Sequence, residues 1–459
     1  MRKQTLLFNA GLITMDDQLR QYQRGAVLIE GDRILEVGPS DQLVADHPAG
    51  EILKVDLRGR WILPGLFNTH VHLSQQLGRG LGDDVPLLTW LHDRIWPYES
   101  SMTEEDSYVS SLLCGLELIR SGVTCFAEPG GQWVNGMGRA VSELGIRGML
   151  ARSTMDMGEG LPEVWADSTE EALEIQVRNY ERWHGRAEGR IQVWFGLRTI
   201  FNNSDDLIVR TKELADEYGV GVHMHVAEIK EEVEFARETR GKTTVAHLND
   251  LGVLDENFLA VHTVWLTDEE VQMFADHDVK VSHNPAAAMR VLGFAKIPEM
   301  LEAGICVTLG TDGAPSNNRM TIIDEMWLAS LIHKGRTLDP TVVPAEAVLK
   351  MVTSGGARGL LVEQDLGSLA AGKKADLVVI DPDTAAMLPM HDPAANMVSS
   401  LRTGNVESVM VDGGWVMKDR EILTVNEQEI LEEAKRRAAD IARRAGIELP
   451  QRFQVVDDA

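Results

Sequence analysis

The chain is organised around residues 61–72, which read Trp61-Ile62-Leu63-Pro64-Gly65-Leu66-Phe67-Asn68-Thr69-His70-Val71-His72. The apolar residues before Asn68 predict a short buried strand with a Pro-Gly break near its start. Side chains two residues apart on a strand project to the same face, so His70 and His72 can direct both imidazoles at one point. Two neutral imidazoles at a rigid strand end are half of a site for a first-row metal. A His-x-His sequence also arises by chance in a chain of 459 residues, so the remaining ligands have to come from elsewhere.

Strand-like apolar runs alternate with amphipathic helical stretches from residue 61 to about residue 360. The predicted strands are 62–68, 122–127, 147–152, 191–197, 219–226, 258–262, 279–283 and 305–311. Eight strands with helices between them, over roughly 300 residues, predict an α/β fold built on a (β/α)8 TIM-type barrel. The doubly wound alternative requires a glycine-rich phosphate turn after its first strand, and this sequence has none there.

Short strand-like runs occur at both ends of the chain, for example at 25–29, 33–37, 375–380 and 406–411. They predict a small β-sandwich domain that is built from residues 1–60 and 361–424 together. The barrel domain is then expected to span residues 61–360. A charged helix and a tail are expected over residues 425–459.

Composition restricts the partners of this protein. The formal net charge of −27 would repel a DNA or RNA polymer. The longest apolar runs are shorter than the roughly 18 residues that cross a bilayer, so we expect no membrane segment. The three cysteines are scattered and form no Cys-x-x-Cys motif, and the apolar run near Met1 is interrupted by Asn9. We therefore expect no export signal and a location in the reducing cytoplasm.

Polar residues follow the later predicted strands at the points where they end. In a barrel of parallel strands, the catalytic groups collect at these carboxyl ends. Histidine or carboxylate residues stand at five strand ends when the first strand is included, and they are His70, His72, His223, His225, Glu228, His262, His283 and Asp312. Thirteen histidines placed at random would rarely achieve this arrangement, so the set predicts a metal site.

These residues resemble the amidohydrolase superfamily, specifically its mononuclear aminohydrolase branch of methylthioadenosine/S-adenosylhomocysteine deaminases, guanine-type deaminases and s-triazine hydrolases. The resemblance covers essentially the whole chain, including residues 367–377, which look like the family's return into its β-sandwich. It implies that Glu228 is the proton shuttle, that His262 is the polarising histidine, and that the metal ligands are His70, His72, His225 and Asp312. It also implies a small heterocyclic substrate, and we expect a homo-oligomer.

The same residues account for the chemistry without the family. Three neutral imidazoles and one carboxylate suit divalent zinc, or iron as the alternative, and leave a position for water. The metal lowers the pKa of that water toward about 7. Asp312 can take the proton of the water, and Glu228 can protonate a ring nitrogen as hydroxide attacks the adjacent carbon. The fourth strand ends in Gly196-Leu197-Arg198 without the lysine that bridges two metals in binuclear relatives, so we expect one metal.

Residues 73–121 form a long insertion that is expected to cover the active site, and Trp90 within it is a candidate substrate contact. Two histidines of the predicted strands have open roles. His223 is either a site residue or a packed residue behind the site. His283 is expected to contact the substrate or the residues that hold it.

The substrate side of the site resembles the adenosine-type deaminases only in part. Glu99, in the sequence Trp96-Pro97-Tyr98-Glu99, matches their ribose-binding glutamate, and Arg152 matches an arginine after the third strand. Arg198 replaces a histidine of that group, and the sequence has no match for a second arginine expected near Ser168. Arg198 either binds an acceptor group of the substrate or forms an internal ion pair with Glu99 or Glu128.

The sequence therefore predicts a metal-dependent hydrolytic deaminase of an amino-substituted N-heterocycle that releases ammonia. The alternative is an s-triazine hydrolase that displaces chloride or an alkylamine with the same machinery. Glu228 favours deamination, because an amine leaving group needs a proton donor more than chloride does. A further alternative is a binding protein on this fold that has lost catalysis. Such a protein would be expected to lack a metal ligand or Glu228, and this sequence has kept all of them.

Overall fold

The computed structural model describes residues 4–48, 50, 52–449 and 453, which form a mixed α/β fold. Its strands are β1 (Gln4–Ile13), β2 (Gln21–Glu30), β3 (Arg33–Pro39), β4 (Leu53–Asp56), β5 (Trp61–Pro64), β6 (Leu66–Asn68), β7 (Val123–Ala127), β8 (Arg147–Leu150), β9 (Ser153–Thr154), β10 (Ile191–Val193), β11 (Phe195–Leu197), β12 (Val222–Val226), β13 (Phe258–His262), β14 (Lys280–His283), β15 (Val307–Leu309), β16 (Leu377–Ile380), β17 (Val406–Val411), β18 (Gly414–Lys418) and β19 (Glu421–Ile422).

The helices lie mainly between the strands of the central region. They are α1 (Ser40–Asp46), α2 (Leu87–Trp90), α3 (Trp96–Ser100), α4 (Glu104–Arg120), α5 (Val134–Leu144), α6 (Thr169–Trp183), α7 (Asp205–Tyr218), α8 (Lys230–Arg240), α9 (Thr244–Asp250), α10 (Asp268–Asp276), α11 (Pro285–Ala287), α12 (Ile297–Glu302), α13 (Ala314–Asn317), α14 (Ile322–Thr337), α15 (Ala345–Met351), α16 (Ser354–Gly359), α17 (Pro393–Ser399) and α18 (Glu427–Arg444).

Strands from the two ends of the chain join in one sheet of nine strands. Its order is β19-β18-β17-β16-β5-β1-β2-β3, and β4 pairs with β1. The central contact is made by β5, which pairs in parallel with β1 and antiparallel with β16. Strands from both ends of the chain therefore lie in the same sheet, and the composite β-sandwich domain stays a prediction.

The strands between residues 66 and 309 form two parallel sheets in the described part of the chain. One has the order β10-β8-β7-β6, and the other has the order β15-β14-β13-β12-β11-β9. The predicted strand 191–197 is divided between these sheets at Trp194, and the predicted strand 147–152 ends early at Leu150, with a separate strand of the second sheet following at Ser153–Thr154. The alternation of strands and helices is confirmed, whereas the hydrogen-bonded pairing runs in two sheets and not in one continuous sheet.

The first predicted strand, 62–68, is likewise two strands. Trp61–Pro64 belongs to the nine-stranded sheet, and Leu66–Asn68 pairs with β7 in the parallel sheet. Gly65 is the junction, and a Cβ atom there would lie 2.0 Å from Thr124 Oγ1, so only glycine fits. The sequence break at Pro64-Gly65 therefore marks the passage of the chain from one sheet to the other.

The predicted charged helix near the end of the chain is present as α18. It packs on α4, where Arg437 donates to Asp106 Oδ1 at 2.8 Å. Residues 1–3 of the predicted β-sandwich domain lie outside the described residues. The same holds for residues 450–452 and 454–459 of the predicted tail. Among the described residues, none of the helices combines the length and the apolar composition that a bilayer span needs.

Candidate active site

The residues that follow β6 are fixed to three neighbouring strands. The Thr69 N–H donates to Leu309 O at 2.9 Å, and its hydroxyl lies 2.6 Å from Thr308 Oγ1 and 2.8 Å from Ser282 Oγ. The Val71 N–H donates to Ala127 O at 3.0 Å. These contacts hold the backbone on either side of His70, so the directions of the two imidazoles after β6 are determined by the sheets.

Four of the predicted residues converge at the carboxyl ends of the parallel strands. Ligand-type nitrogen atoms of His70, His72 and His225 all lie within 4.8 Å of one another. The Oδ1 atom of Asp312 lies 3.5 Å from His70 Nε2 and 3.5 Å from His72 Nε2. All four side chains are buried. The structure thus brings together the three histidines and the aspartate that the sequence singled out.

Hydrogen bonds orient two of these imidazoles from behind. His225 Nδ1 lies 3.0 Å from the Arg198 carbonyl oxygen, which can only accept, so Nδ1 carries the proton and Nε2 has a free lone pair. His70 Nδ1 lies 3.0 Å from His223 Nε2. Burial lowers the pKa values of His70, His72 and His225 well below the ordinary value, so these side chains are neutral.

This donor set fits a divalent metal ion. His70 Nε2 is buried and has no hydrogen-bond partner among the described residues, although it faces Asp312 and two further imidazoles. A buried polar nitrogen without a partner is unusual, and metal coordination is a common explanation. Neutral imidazoles with one carboxylate are the ligand types of zinc and iron sites.

Glu228 and His262 lie beside this cluster. Glu228 Oε1 is 3.6 Å from His262 Nε2, and the Glu228 side chain is 20% exposed, toward the cavity. Burial and Asp312 raise the pKa of Glu228, against the opposing effect of His262, so the carboxyl holds a proton more readily than an exposed one. The Asn284 amide nitrogen lies 3.1 Å from His262 Nδ1, and an amide N–H can only donate. The proton of neutral His262 is therefore on Nε2, which faces Glu228.

A cavity of about 980 Å³ opens over these groups. His72, His225, Glu228, His262 and Asp312 form its floor, and Arg198 lines it as well. The upper wall is largely apolar and comes from separate helices and loops, with the side chains Trp90, Leu91, Trp96, Phe201, Phe235 and Leu292. The predicted covering role of the 73–121 insertion agrees with the position of Trp90, whose indole N–H donates to Pro315 O at 3.4 Å.

Arg198 faces the cavity without a carboxylate partner. Within the described residues its guanidinium makes no hydrogen bond or ion pair. Burial raises the pKa of Glu99, and the charge of Arg198 offsets only part of this rise. The internal ion pair with Glu99 or Glu128, one of the two alternatives from the sequence, is not formed.

Three further candidates do not line the cavity in the described structure. Glu99 accepts a hydrogen bond from Gln75 Nε2 at 2.9 Å. Arg152 donates to Gln132 Oε1 at 3.0 Å and pairs with Asp167 at 2.7 Å. His283 is directed at helix α14, where its Nε2 lies 3.1 Å from His333 Nε2. The preceding residue, Ser282, contacts Thr69, so His283 projects from the opposite face of β14.

Sequence reasoning missed several residues around the site. Asn284 orients His262, and its only signal was its place next to a strand-end histidine. Phe201 lies in the loop after β11 and Phe235 lies in helix α8, and no spacing in the sequence connects them. Three buried glutamates that accept hydrogen bonds from strand-end loops were also missed: Glu128, Glu232 and Glu325. Burial raises the pKa of each of them to about 8.

Comparison with known proteins gives matches along nearly the whole chain. The amidohydrolase family model matches residues 61–416, and a model of the bacterial imidazolonepropionase-like composite domain matches residues 25–49. The 5'-deoxyadenosine deaminase of Methanobrevibacter smithii is 36% identical over 439 residues, which cover 95% of this chain and 98% of the relative. The 5-methylthioadenosine/S-adenosylhomocysteine deaminase of Syntrophomonas wolfei is 38% identical over 436 residues, which cover 94% and 98%.

Solved structures show the same fold. An adenosine deaminase from Xanthomonas campestris with bound zinc has a TM-score of 0.90 and 26% identity, covering 96% of this chain and 98% of that one. Atrazine chlorohydrolase from Arthrobacter aurescens, complexed with zinc, has a TM-score of 0.86 and 26% identity, covering 95% and 100%. Since the family model spans most of the sequence and the relatives align along nearly its full length, the chain belongs to the amidohydrolase family of hydrolases.

Proposed function

We propose that this protein hydrolytically deaminates an adenosine-type nucleoside or a related amino-substituted N-heterocycle and releases ammonia. The observation that carries the proposal is the cluster of three neutral histidines and Asp312 beside a partly exposed, protonatable Glu228. The activities named for the two sequence relatives, both deaminases of adenosine derivatives, support the same reaction.

We propose that His70, His72, His225 and Asp312 hold one divalent metal ion. Zinc is the first choice, because zinc is bound in the similar adenosine deaminase and chlorohydrolase structures, and iron is the alternative. When bound, such an ion acts as a Lewis acid that makes water nucleophilic at neutral pH. A single ion is supported by Arg198, which stands where a bridging lysine would be needed for two.

The protein's own residues move the protons. Glu228 gives its proton to a ring nitrogen of the substrate while the water oxygen adds to the adjacent carbon that carries the amino group. His262 holds its proton on Nε2, 4.0 Å from Asp312 Oδ2, and donates a hydrogen bond to the oxygen that adds to this carbon. Asp312 accepts the first proton that the attacking water loses and passes it to the amino group, which leaves as ammonia when its bond to carbon breaks. The hydroxyl proton that remains returns to Glu228 as the carbonyl forms, so both carboxyl groups end as they began.

Specificity is proposed to come from Arg198 and the aromatic wall. The Arg198 guanidinium, which makes no hydrogen bond or ion pair in the part of the chain that the structure describes, presents planar donors that suit a carbonyl-rich ring edge or a carboxylate. Trp90 supplies an apolar face against which a planar heterocycle can stack. Glu99, Arg152 and His283 stay predictions as substrate-side residues, made from the sequence. In this structure each of them contacts another side chain of the protein and none lines the cavity.

An s-triazine hydrolase is the second candidate, because the similar atrazine chlorohydrolase shares the fold over nearly its whole length. Purified, metal-loaded protein should be assayed against a panel of adenosine, 5'-deoxyadenosine, methylthioadenosine, guanine, a pterin and a chlorinated triazine. Ammonia and chloride would be measured in parallel, with Glu228→Gln as the control. Ammonia release that Glu228→Gln abolishes supports deamination. Chloride release alone would favour the second candidate, and neither product would contradict both.

We also propose that the two parallel sheets are parts of one (β/α)8 barrel. The bond from Thr69 N–H to Leu309 O joins the end of β6 to β15. At the other division, Trp194 continues the pairing of β10 with β8 by donating to Leu150 O at 2.9 Å, and β11 of the second sheet follows directly at Phe195. We assign the barrel to residues 61–360 and a β-sandwich to residues 1–60 with 361–424. The sandwich is supported by one apolar cluster that contains both Ile34 of β3 and Met410 of β17, which are far apart in the sheet order.

The homo-oligomer stays a prediction from the sequence.

A further inference from the structure

The side chain of Glu232 is completely buried next to the turn that carries Glu228. It belongs to helix α8 and is 0% exposed. One carboxylate oxygen accepts the N–H of Ala227 and the other accepts the N–H of Glu228, each at 2.8 Å. No cation pairs with Glu232 among the described side chains. A buried polar group is unfavourable unless it is hydrogen-bonded, and the two hydrogen bonds of Glu232 both go to the backbone of this turn.

The turn that Glu232 holds has an unusual backbone. Ala227 has a φ of +49°, in the left-handed region that residues other than glycine rarely adopt. The Ala227 carbonyl accepts the N–H of Trp265 at 2.9 Å, so this turn is attached to the next β–α unit as well. A residue in this strained conformation is retained only where neighbouring contacts hold it in place, and such residues are frequent at functional sites. The turn directs the Glu228 side chain into the cavity.

An ordinary helix cap does not account for this contact. In a capping box the acidic third residue of a helix bonds the N–H of the residue just before the helix. Glu270 does this in helix α10, where it accepts the N–H of Thr267 at 2.8 Å. The residue before α8 is Ile229, yet Glu232 bonds the two residues that precede Ile229. Its contacts are therefore with the Glu228 turn and not with the helix end.

We propose that Glu232 is a positioning residue that fixes the direction in which Glu228 reaches the substrate. The proposal rests on the role of Glu228 in the proposed function. By holding both N–H groups, Glu232 keeps the carboxyl of Glu228 within reach of His262 and of the ring nitrogen that it protonates. A displacement of about 1 Å in a proton donor can cost about 100-fold in rate, so this control matters for turnover.

The test is a double-mutant cycle between Glu232→Ala and Glu228→Gln, measured with the metal-loaded protein on its best substrate. Glu232→Ala should lower kcat by about 10- to 100-fold while KM changes by less than about 3-fold. Metal content per chain, measured by elemental analysis, should equal that of the unmodified protein. In the Glu228→Gln background, Glu232→Ala should lower kcat by no more than about 2-fold, because the group that it positions is gone.

Two further variants keep the test decisive. Glu232→Gln preserves the shape of the side chain and one accepting oxygen, so it should show a smaller loss of kcat than Glu232→Ala. This loss should also disappear in the Glu228→Gln background. If Glu232→Ala does not fold, Glu232→Gln takes its place in the cycle. Glu270→Ala is the matched control, since it removes a buried acid at the same position, the third residue, of helix α10, and it should leave kcat and KM unchanged.

The cycle separates this proposal from the proposed function. Equal losses of kcat in both backgrounds, or a normal kcat in Glu232→Ala, would overturn the positioning role of Glu232. Near-normal turnover in Glu228→Gln alone would overturn the role of Glu228. This single variant is therefore assayed first, before the double variant is made.

Discussion

A buried ion pair connects the parallel strands to the nine-stranded sheet, and its removal should destabilise the protein strongly. Arg147 of β8 donates to Asp376 through Nε at 2.7 Å and through Nη2 at 3.0 Å. Their side chains are 8% and 4% exposed. Asp376 also accepts the N–H of Asp412 at 2.9 Å, and Arg147 makes a further contact with Asp412. Burial lowers the pKa of Arg147, but Asp376 and Asp412 more than offset this effect, so Arg147 stays charged.

The size of the effect follows from what Asp376→Ala leaves behind. Removing one partner of a buried pair usually costs about 3–5 kcal/mol, because the other charge stays buried. Arg147 keeps Asp412, which reduces this figure, whereas the Asp412 N–H loses an acceptor, which adds about 1 kcal/mol. We expect the free energy of unfolding to fall by about 3 kcal/mol.

The chain offers a matched control in Arg33 and Asp365. Their N–O distance is also 2.7 Å, but the two side chains are 41% and 52% exposed. Exposed pairs contribute about 0–1 kcal/mol, so Asp365→Ala should change the free energy of unfolding very little. Urea unfolding, followed by tryptophan fluorescence and circular dichroism, would measure both variants. A loss below about 1 kcal/mol in Asp376→Ala, or equal losses in the two variants, would refute the reasoning.

Three further outcomes are expected from the site. Removing the metal with a chelator, or substituting His225 by alanine, should abolish activity and metal retention while circular dichroism stays native, because His225 lies at a strand end; two tightly held metals per chain would contradict the assignment. Glu228→Gln should keep the metal and lose about 100-fold or more in kcat, the usual contribution of a positioned acid, and near-normal turnover would reassign the proton donor. Arg198→His should weaken the native substrate and improve adenosine-type nucleosides, mainly in kcat/KM, and an unchanged substrate profile would make Arg198 a structural residue.

Much of the site could be predicted because its signals are local. The spacing of His70 and His72 follows from the two-residue repeat of a strand, and the alternation of strands and helices places the carboxyl ends of parallel strands together. His225, Glu228 and Asp312 follow such strands directly, so their convergence with the first two histidines was expected from the order of residues alone.

The remaining features depended on contacts between distant parts of the chain. The sequence marks a break at Gly65, but only the pairing of β5 with β16, more than 300 residues later, shows that the break separates two sheets. His283 ends its strand like the other histidines, yet the contact between Ser282 and Thr69 determines that His283 faces helix α14.

Arg198 and Glu232 show the same limit. Their charges are evident in the sequence, but whether a charge is paired depends on which side chains the fold brings beside it. The sequence by itself indicated which strand ends carry histidine and carboxylate residues, and it indicated the mixed α/β order of elements, because strand and helix periodicities are properties of neighbouring residues. Only the tertiary structure decided that Arg198 faces the cavity with no ion pair among the described residues and that Glu232 holds the Glu228 turn, because burial and partner choice are set by residues far apart in the chain.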